Sequence, residues 1–158
     1  MIQYLFSTYV RYDCFTQLRC QFMSFTYHRT IYFKDTDAAG VVYFSNALSI
    51  CHEAYEALLE TLMIDLKSYF SGRTLAVPII HAEIDFKQPM SCGEQVYVTV
   101  SGKMLKESEF VLHYEICRND LDTDRPIAKA MTRHVAIDPT TRSRSVVPPE
   151  LAHWFSLG

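Results

Sequence analysis

The sequence contains no long apolar run, no paired cysteine motif and no strong excess of charge of either sign. A membrane-spanning helix needs about 18 to 20 consecutive apolar residues, and no stretch of that kind occurs. The formal net charge of −3 gives no general attraction to nucleic acid or to anionic lipid. The five cysteines are scattered, so neither a disulfide framework nor a zinc knuckle is indicated. We therefore expect free thiols and a cytoplasmic protein.

Several standard catalytic motifs are missing as well. The sequence has no glycine-rich phosphate loop, no Gly-x-Ser-x-Gly elbow and no cysteine–histidine motif. Its 158 residues suit one domain. The N-terminal stretch lacks the layout of a secretory signal. We expect residues 1–22 to be a flexible N-terminal extension and residues 23–158 to form a single domain.

The order of apolar patterns predicts an α+β fold. Residues 27–33 alternate around β-favouring types and predict a first strand. From about Ser45, apolar residues recur every three or four positions, which predicts a long helix capped by Ser45 or Asn46. Residues 64–70 predict a short second helical segment, and four stretches of alternating apolar residues then predict a meander of strands before a proline-broken C-terminal segment. Because one helix cannot bury its stripe alone, we expect a curved antiparallel sheet wrapped around it, with an edge open to pairing between subunits.

The segment DTDAAGVVYF, just before the long helix, is the strongest candidate for chemistry. Gly40 allows the chain to turn tightly after Asp37. The backbone N–H groups of residues 41–44 then lie at the helix N-terminus, where they suit an oxyanion. A carboxylate beside such a hole is a minimal acyl-transfer site. The alternative is that Asp35 and Asp37 only satisfy loop amides or favour the helix dipole.

The histidines give weaker signals. His52 lies near the apolar stripe of the helix and His81 in the middle of a strand, so each is either a core residue or an orienting side chain. His113 and His134 fall opposite the apolar faces of their strands, which predicts surface or interface positions. The two aspartates have too few neighbouring ligands for a metal site. Seven basic residues at strand ends and in tails are candidates for holding a phosphate-bearing substrate, and the pattern selects none of them: Lys87, Lys103, Lys106, Arg118, Arg133, Arg142 and Arg144.

The stretch YFKDTDAAGVVYFSN resembles the active-site segment of the hotdog-fold thioesterases of the 4-hydroxybenzoyl-CoA thioesterase family. The later PIIHAEIDFKQPMSCGEQV resembles that family's second strand with its acid-aromatic-x-x-Pro turn. The resemblance covers about residues 25–138. It implies a hotdog fold, in which a five-stranded antiparallel sheet wraps a long central helix. It also implies homodimers or homotetramers formed through sheet edges, sites at subunit interfaces, and neither a cofactor nor a metal.

The resemblance assigns roles to individual residues. It implies that Asp37 is the catalytic carboxylate, either as nucleophile or as general base on water, and that Asp35 has at most a supporting role. It further implies that an N–H near Phe44 polarises the thioester carbonyl. Substrate contacts are expected from Gly40, Val41, Val42, Tyr43, Phe44, His52 and His81.

The function expected from the resemblance is hydrolysis of an acyl-CoA, with an aromatic acyl group of quinone biosynthesis as the favoured substrate. Another acyl-CoA or an acyl-carrier protein is an alternative substrate. A non-catalytic acyl-CoA-binding module on the same fold is an alternative function. A hydratase or dehydratase has a weak basis, because His52 and Glu53 are helix neighbours that do not face each other. No nucleic-acid or membrane partner is expected.

Overall fold

The computed structural model describes residues 24–119 and 125–157. The predicted extension over residues 1–22 therefore lies outside the described residues. Within these two ranges, five strands and three helices form in chain order, with a short 3-10 turn at Phe33–Asp35 between β1 and α1. The strands are β1 (Phe25–Thr30), β2 (Ile79–Phe86), β3 (Gln95–Lys106), β4 (Glu109–Arg118) and β5 (Ala128–Val135), and the helices are α1 (Phe44–Thr61), α2 (Leu66–Tyr69) and α3 (Pro149–Ser156).

The five strands form one antiparallel sheet in the order β1-β3-β4-β5-β2. The α+β hotdog layout, a long helix with a five-stranded antiparallel sheet, is confirmed. The predicted meander of four strands is wrong in one respect, because β2 pairs with β5 and not with its sequence neighbour β3. β2 therefore lies at one edge of the sheet and β1 lies at the other.

The apolar stripe of α1 packs on the sheet as its spacing predicts. Seven of its residues are buried: Ala47, Ile50, Cys51, Ala54, Tyr55, Leu58 and Leu59. The facing strand β3 contributes Val96, Val98 and Val100 from alternate positions, all fully buried. Burial raises the pKa of the Cys51 thiol to about 12, so this cysteine is a core residue and not a nucleophile.

Two short helices complete the core. The predicted segment over residues 64–70 forms α2, and its first turn is capped by Asp65, whose carboxylate accepts from the Ser68 N–H at 3.1 Å. The C-terminal segment, expected only as a proline-broken stretch, forms α3 with proline in its first turn. This helix lies so close to β3 that a Cβ at Gly102 would come within 2.7 Å of the Phe155 ring. Among the helices that the structure describes, none is long and apolar enough to cross a membrane.

His134 is buried, which corrects the predicted surface or interface position. One face of β5 buries Ala128, Ala130, Thr132 and His134, while on the alternate positions Val135 is also buried and Met131 is half-buried. Phe110 lies directly opposite His134 on β4, and the two rings stack at 4.6 Å. The His134 Nε2 lies 2.8 Å from the Thr132 hydroxyl, while its Nδ1 has no hydrogen-bond partner among the described residues. His113, by contrast, is exposed as predicted.

Burial lowers the pKa of His134 from 6.5 to about 4, with nearby His52 adding to the effect. An unfolded chain binds a proton at this histidine below pH 6.5, whereas the folded chain does so only near pH 4. We therefore predict that the contribution of His134 to stability is complete above pH 6.5 and is lost as the pH falls toward 4. The loss should reach about 3 kcal/mol at most.

Urea unfolding from pH 7 to pH 4 checks this prediction. The variant His134→Gln keeps a neutral side chain and should show a shallower loss of stability over that range than the wild type. The exposed His113→Gln, on the neighbouring strand, is the matched control and should follow the wild type. Identical pH profiles for His134→Gln and the wild type would contradict the prediction.

Candidate active site

Asp37 lies in a tight turn that ends just before α1. Its backbone N–H donates to the Val41 carbonyl at 2.9 Å, and its own carbonyl accepts from the Gly40 N–H at 3.0 Å. Gly40 has φ +78°, in the left-handed region that favours glycine, as the sequence predicts. The Asp37 Oδ1 accepts from the Ala39 N–H at 2.8 Å, and the side chain is exposed to solvent. The carboxylate is therefore oriented by the turn and keeps Oδ2 available.

The N-terminus of α1 differs from its predicted capping. The N-cap residue is Tyr43, and no side chain caps the helix from that position. Asn46, predicted as a cap, instead donates from its side chain to the Asp35 carbonyl at 3.1 Å. Ser45 is exposed in the first turn. The helix start is thus held by contacts to the preceding turn, one of them from the Asn46 side chain, rather than by a side-chain cap.

Only part of the predicted oxyanion site is available. The N–H of Val42 donates to the Met90 carbonyl at 2.8 Å, and that of Tyr43 donates to the Asp35 carbonyl at 2.9 Å. Within the described residues, the N–H groups of Val41 and Phe44 have no protein acceptor. The Phe44 N–H lies in the first turn of α1, where the helix dipole favours negative charge.

Asp35 belongs to a buried ion network that sequence patterns did not reveal. Its Oδ2 lies 2.7 Å from Arg29 Nη2 and accepts from the Tyr32 N–H at 2.8 Å. Arg29 Nη1 also lies 3.0 Å from the Glu53 carboxylate on α1, as an ion pair without hydrogen-bond alignment. The side chains of Arg29 and Asp35 are 6% and 9% exposed. Arg29 thereby joins β1, the 3-10 turn and α1 through Asp35 and Glu53.

A cleft of about 420 Å³ separates the Asp37 turn from a second wall, residues 86–90, which begins at the last residue of β2. The first wall contributes Asp37, Val41, Val42, Tyr43 and Phe44, and the second contributes Phe86, Lys87, Gln88, Pro89 and Met90. The two walls meet where Val42 bonds to Met90 and where Val41 bridges to Ser91. Apolar side chains predominate in the cleft, while Asp37, Lys87 and Gln88 supply polar groups, an arrangement typical of a small-molecule site.

Three predicted substrate contacts do not line this cleft in a single chain. Gly40 shapes the turn without facing the cleft. His52 lies on α1 with its ring 5.8 Å from Phe70 and its Nε2 3.5 Å from Glu56. His81 lies exposed on β2, with Nε2 3.3 Å from Glu83. The roles of His52 and His81 stay predictions.

The structure also separates the seven basic candidates. Lys87 is the one that lines the cleft. Arg118 hydrogen-bonds to Glu94, Gln88 and Pro89, behind the second wall. Arg133 and Arg144 pair with the buried Glu109. Residues 86–89 belong to the acid-aromatic-x-x-Pro turn that the sequence analysis singled out. The sequence did not identify them as a wall of the site. No group of three potential metal ligands lies together within residues 24–119 and 125–157.

The arrangement suits addition of a nucleophile or water to a carbonyl group. A carboxylate is held at a fixed position by its turn, and an unpartnered N–H lies at the start of a helix beside it. A carboxylate and an oxyanion-binding N–H are the groups that acyl transfer requires, and the hotdog fold carries both at the apolar cleft.

Comparison with known proteins agrees with this class. Residues 31–155 match the model of the thioesterase-like superfamily, and the chain belongs to this superfamily. It is 48% identical over 130 residues to the 1,4-dihydroxy-2-naphthoyl-CoA hydrolase of Crocosphaera subtropica, covering 82% of this chain and 94% of that protein. The hydrolase of the same name from Rippkaea orientalis is 50% identical over 129 residues, with coverage of 82% and 93%. The crystal structure of a 1,4-dihydroxy-2-naphthoyl-CoA thioesterase from Synechocystis matches with a TM-score of 0.78 at 35% identity, covering 85% of this chain and 96% of that one.

The ion network around Arg29 predicts a stability effect. Replacing Asp35 by Asn keeps an acceptor for the Tyr32 N–H but leaves the buried Arg29 with one carboxylate partner. We expect Asp35→Asn to lower the free energy of unfolding by about 2 to 3 kcal/mol, because a buried charge that loses its partner is strongly destabilising and Glu53 compensates only part of the loss. Urea unfolding at pH 7 measures the change.

Glu115→Gln is the matched control, since it removes a carboxylate from an exposed pair with Lys129. An exposed pair of this kind contributes little, so this variant should unfold like the wild type. Equal stability of Asp35→Asn and Glu115→Gln would show that the Arg29 network does not hold the turn.

Proposed function

We propose that this chain hydrolyses 1,4-dihydroxy-2-naphthoyl-CoA to 1,4-dihydroxy-2-naphthoate and CoA, a step of phylloquinone synthesis, with Asp37 as the catalytic carboxylate. The observation that carries the proposal is the turn that directs Asp37 toward an apolar cleft beside the start of α1. The relatives of 48% and 50% identity, which bear the name of this activity, support the choice of acyl group.

The mechanism requires two groups of the protein. The Phe44 N–H polarises the thioester carbonyl and stabilises the oxyanion that forms when this carbon is attacked. Asp37 either attacks the carbon itself or removes a proton from an attacking water. In the first route an acyl-aspartyl anhydride forms, CoA leaves as thiolate, and water then releases the naphthoate. In the second route water adds directly and collapse of the tetrahedral intermediate expels the thiolate.

The first wall of the cleft supplies the acyl contacts in this proposal. Val41, Val42, Tyr43 and Phe44 line the cleft beside Asp37. Their apolar surfaces suit a planar naphthoyl ring, and the aromatic pair Tyr43 and Phe44, with centroids 4.6 Å apart, offers faces for stacking. A cytoplasmic location accompanies the proposal, supported by the thiols of Cys51 and Cys92.

The central test replaces the carboxylate alone. Asp37→Asn keeps an oxygen that accepts from the Ala39 N–H, so the turn should persist while the base or nucleophile is lost. We expect kcat with 1,4-dihydroxy-2-naphthoyl-CoA to fall at least about a hundredfold, measured as release of free thiol. Glu60→Gln, at an exposed position of α1, is the control and should retain full activity.

Full activity in Asp37→Asn would contradict the assignment of the carboxylate. A thioester panel with benzoyl-CoA and long aliphatic CoAs tests the acyl group in the same assay. Preference for the aliphatic thioesters would overturn the proposed substrate. Binding of acyl-CoA without thiol release from any thioester would indicate a non-catalytic module.

We further propose that β2 pairs with β2 of a second copy to form a homodimer. Within the described sheet, β2 has a neighbour on one side only, and Ile84 is its one residue that is not exposed. Ile79, Ile80 and Phe86 expose 42%, 50% and 45% of their surface there. An edge strand with apolar side chains of this kind favours pairing with another chain. His81 lies on this strand, so pairing through β2 would bring it to a site formed between two copies.

If β2 forms the dimer interface, a charged substitution at this edge should change the mass of the assembly in solution. Ile80→Glu introduces a charge into the proposed interface and should shift the mass measured by sedimentation from two chains to one. Val146→Glu is the control, because Val146 is 66% exposed outside the strands and should tolerate a charge. A wild-type monomer, or an unchanged Ile80→Glu dimer, would contradict pairing through β2.

A further inference from the structure

Arg118, the last residue of β4, hydrogen-bonds behind the second wall of the cleft. Its Nε donates to Glu94 at 3.0 Å, its Nη1 to the Gln88 side-chain oxygen at 2.5 Å, and its Nη2 to the Pro89 carbonyl at 2.5 Å. The three contacts use all three nitrogens of one planar guanidinium, whose geometry is fixed. Arg118 is therefore bound to the Gln88 side chain and to the backbone that carries it.

The chemistry of arginine determines which way the Gln88 carboxamide points. A guanidinium has only donors, so it must meet the carboxamide oxygen and not the NH₂ group. The Gln88 Nε2 is consequently the end turned away from Arg118. Within residues 24–119 and 125–157, this nitrogen has no protein acceptor. Gln88 is one of the residues that line the cleft, and its NH₂ group is free to donate.

The backbone of the second wall is also fixed relative to the Asp37 turn. The N–H groups of Lys87 and Gln88 both donate to the Ile127 carbonyl, at 2.8 and 3.1 Å. Met90 accepts from Val42, which belongs to the first wall. Gln88 thus has a set position across the cleft from Asp37, with both its main chain and its side chain restrained.

We propose that Gln88 donates a hydrogen bond from its carboxamide nitrogen to an acceptor oxygen of the bound thioester substrate, and that Arg118 is the positioning residue that orients it. The inference rests on the proposed function in one respect, that the cleft binds an acyl-CoA. An NH₂ donor fixed in this way strengthens the binding of a substrate that has an oxygen at this point. A ligand without that oxygen binds more weakly, because the donor then has no hydrogen-bond partner.

The variant Gln88→Glu separates the two roles of this side chain. Glutamate keeps the oxygen that Arg118 binds and so preserves the wall, but it has no hydrogen to donate. We expect an unchanged thermal unfolding midpoint and a kcat/KM for 1,4-dihydroxy-2-naphthoyl-CoA lowered roughly five- to tenfold, the effect of one neutral hydrogen bond. Because the added charge alone could repel CoA, the neutral Gln88→Met is measured beside it and should lose activity to at least the same extent.

Gln95→Glu is the matched control. Gln95 is exposed at the start of β3, donates to Thr30 and does not line the cleft, so its activity should equal that of the wild type. Wild-type activity in Gln88→Glu would overturn the donor role, as would a loss in Gln88→Glu together with wild-type activity in Gln88→Met.

Arg118 is tested through its coupling to Gln88. A lysine has one ammonium and cannot meet three acceptors in a fork, so Arg118→Lys should lower kcat/KM by a similar factor. If Arg118 acts through Gln88, the double variant Arg118→Lys/Gln88→Glu should be no worse than roughly tenfold impaired. Losses that multiply would overturn the positioning role.

Binding measurements keep this test independent of turnover. Calorimetry in the Asp37→Asn background, with and without Gln88→Glu, measures the Kd of 1,4-dihydroxy-2-naphthoyl-CoA directly. A roughly five- to tenfold weaker Kd supports the donor, and an equal Kd overturns it. Absence of hydrolysis by the wild type would reject the proposed function, whereas this Kd comparison decides the role of Gln88 separately.

Discussion

A buried guanidinium requires compensating negative charge, and at Arg29 this requirement fixes how the chain enters its active-site turn. The side chain extends from β1 into the interior, where it meets Asp35 and Glu53. Asp35 must therefore turn inward, and its carbonyl then receives hydrogen bonds from Tyr43 and Asn46 at the start of α1. The position of Asp37 relative to the helix follows from these contacts, since only the residues of one tight turn lie between them.

The sequence predicted the parts of this fold that depend on local periodicity. The stripe of α1 and the alternation of β3 each bury one face, so their apolar residues repeat at 3.6 or 2 positions. Alternation was a poor guide in β5, because both faces of that strand contribute buried residues, among them Ala130, Thr132 and Val135. The strand order could not be predicted from local patterns either, because pairing of β2 with β5 depends on contacts between segments distant in sequence. The capping of α1 was misassigned because the Asn46 side chain bonds to the Asp35 carbonyl rather than to an N–H of its own helix.

In the candidate site too, the local features were predicted from the sequence and the contacts between distant segments were not. The Asp37 turn is local, and its motif with Gly40 indicated both a conformation and a chemical role. The second wall comes from the end of β2 and is held by Arg118 and by the Ile127 carbonyl, partners that no spacing in the sequence links to it. His52 and His81 were expected at the site, yet a single chain does not bring them to the cleft. The local motif therefore placed a carboxylate at the cleft, whereas the sequence did not identify the distant residues that form its second wall.

The two walls of the cleft are built from separate stretches of chain that meet at few backbone contacts, one of them between Val42 and Met90. Phe86 lines the cleft but takes no part in the hydrogen bonds that hold Asp37. Under the proposed function, a change at Phe86 alters the acyl preference and leaves the hydrolytic group in place, so a lineage can diversify its substrates while keeping one reaction.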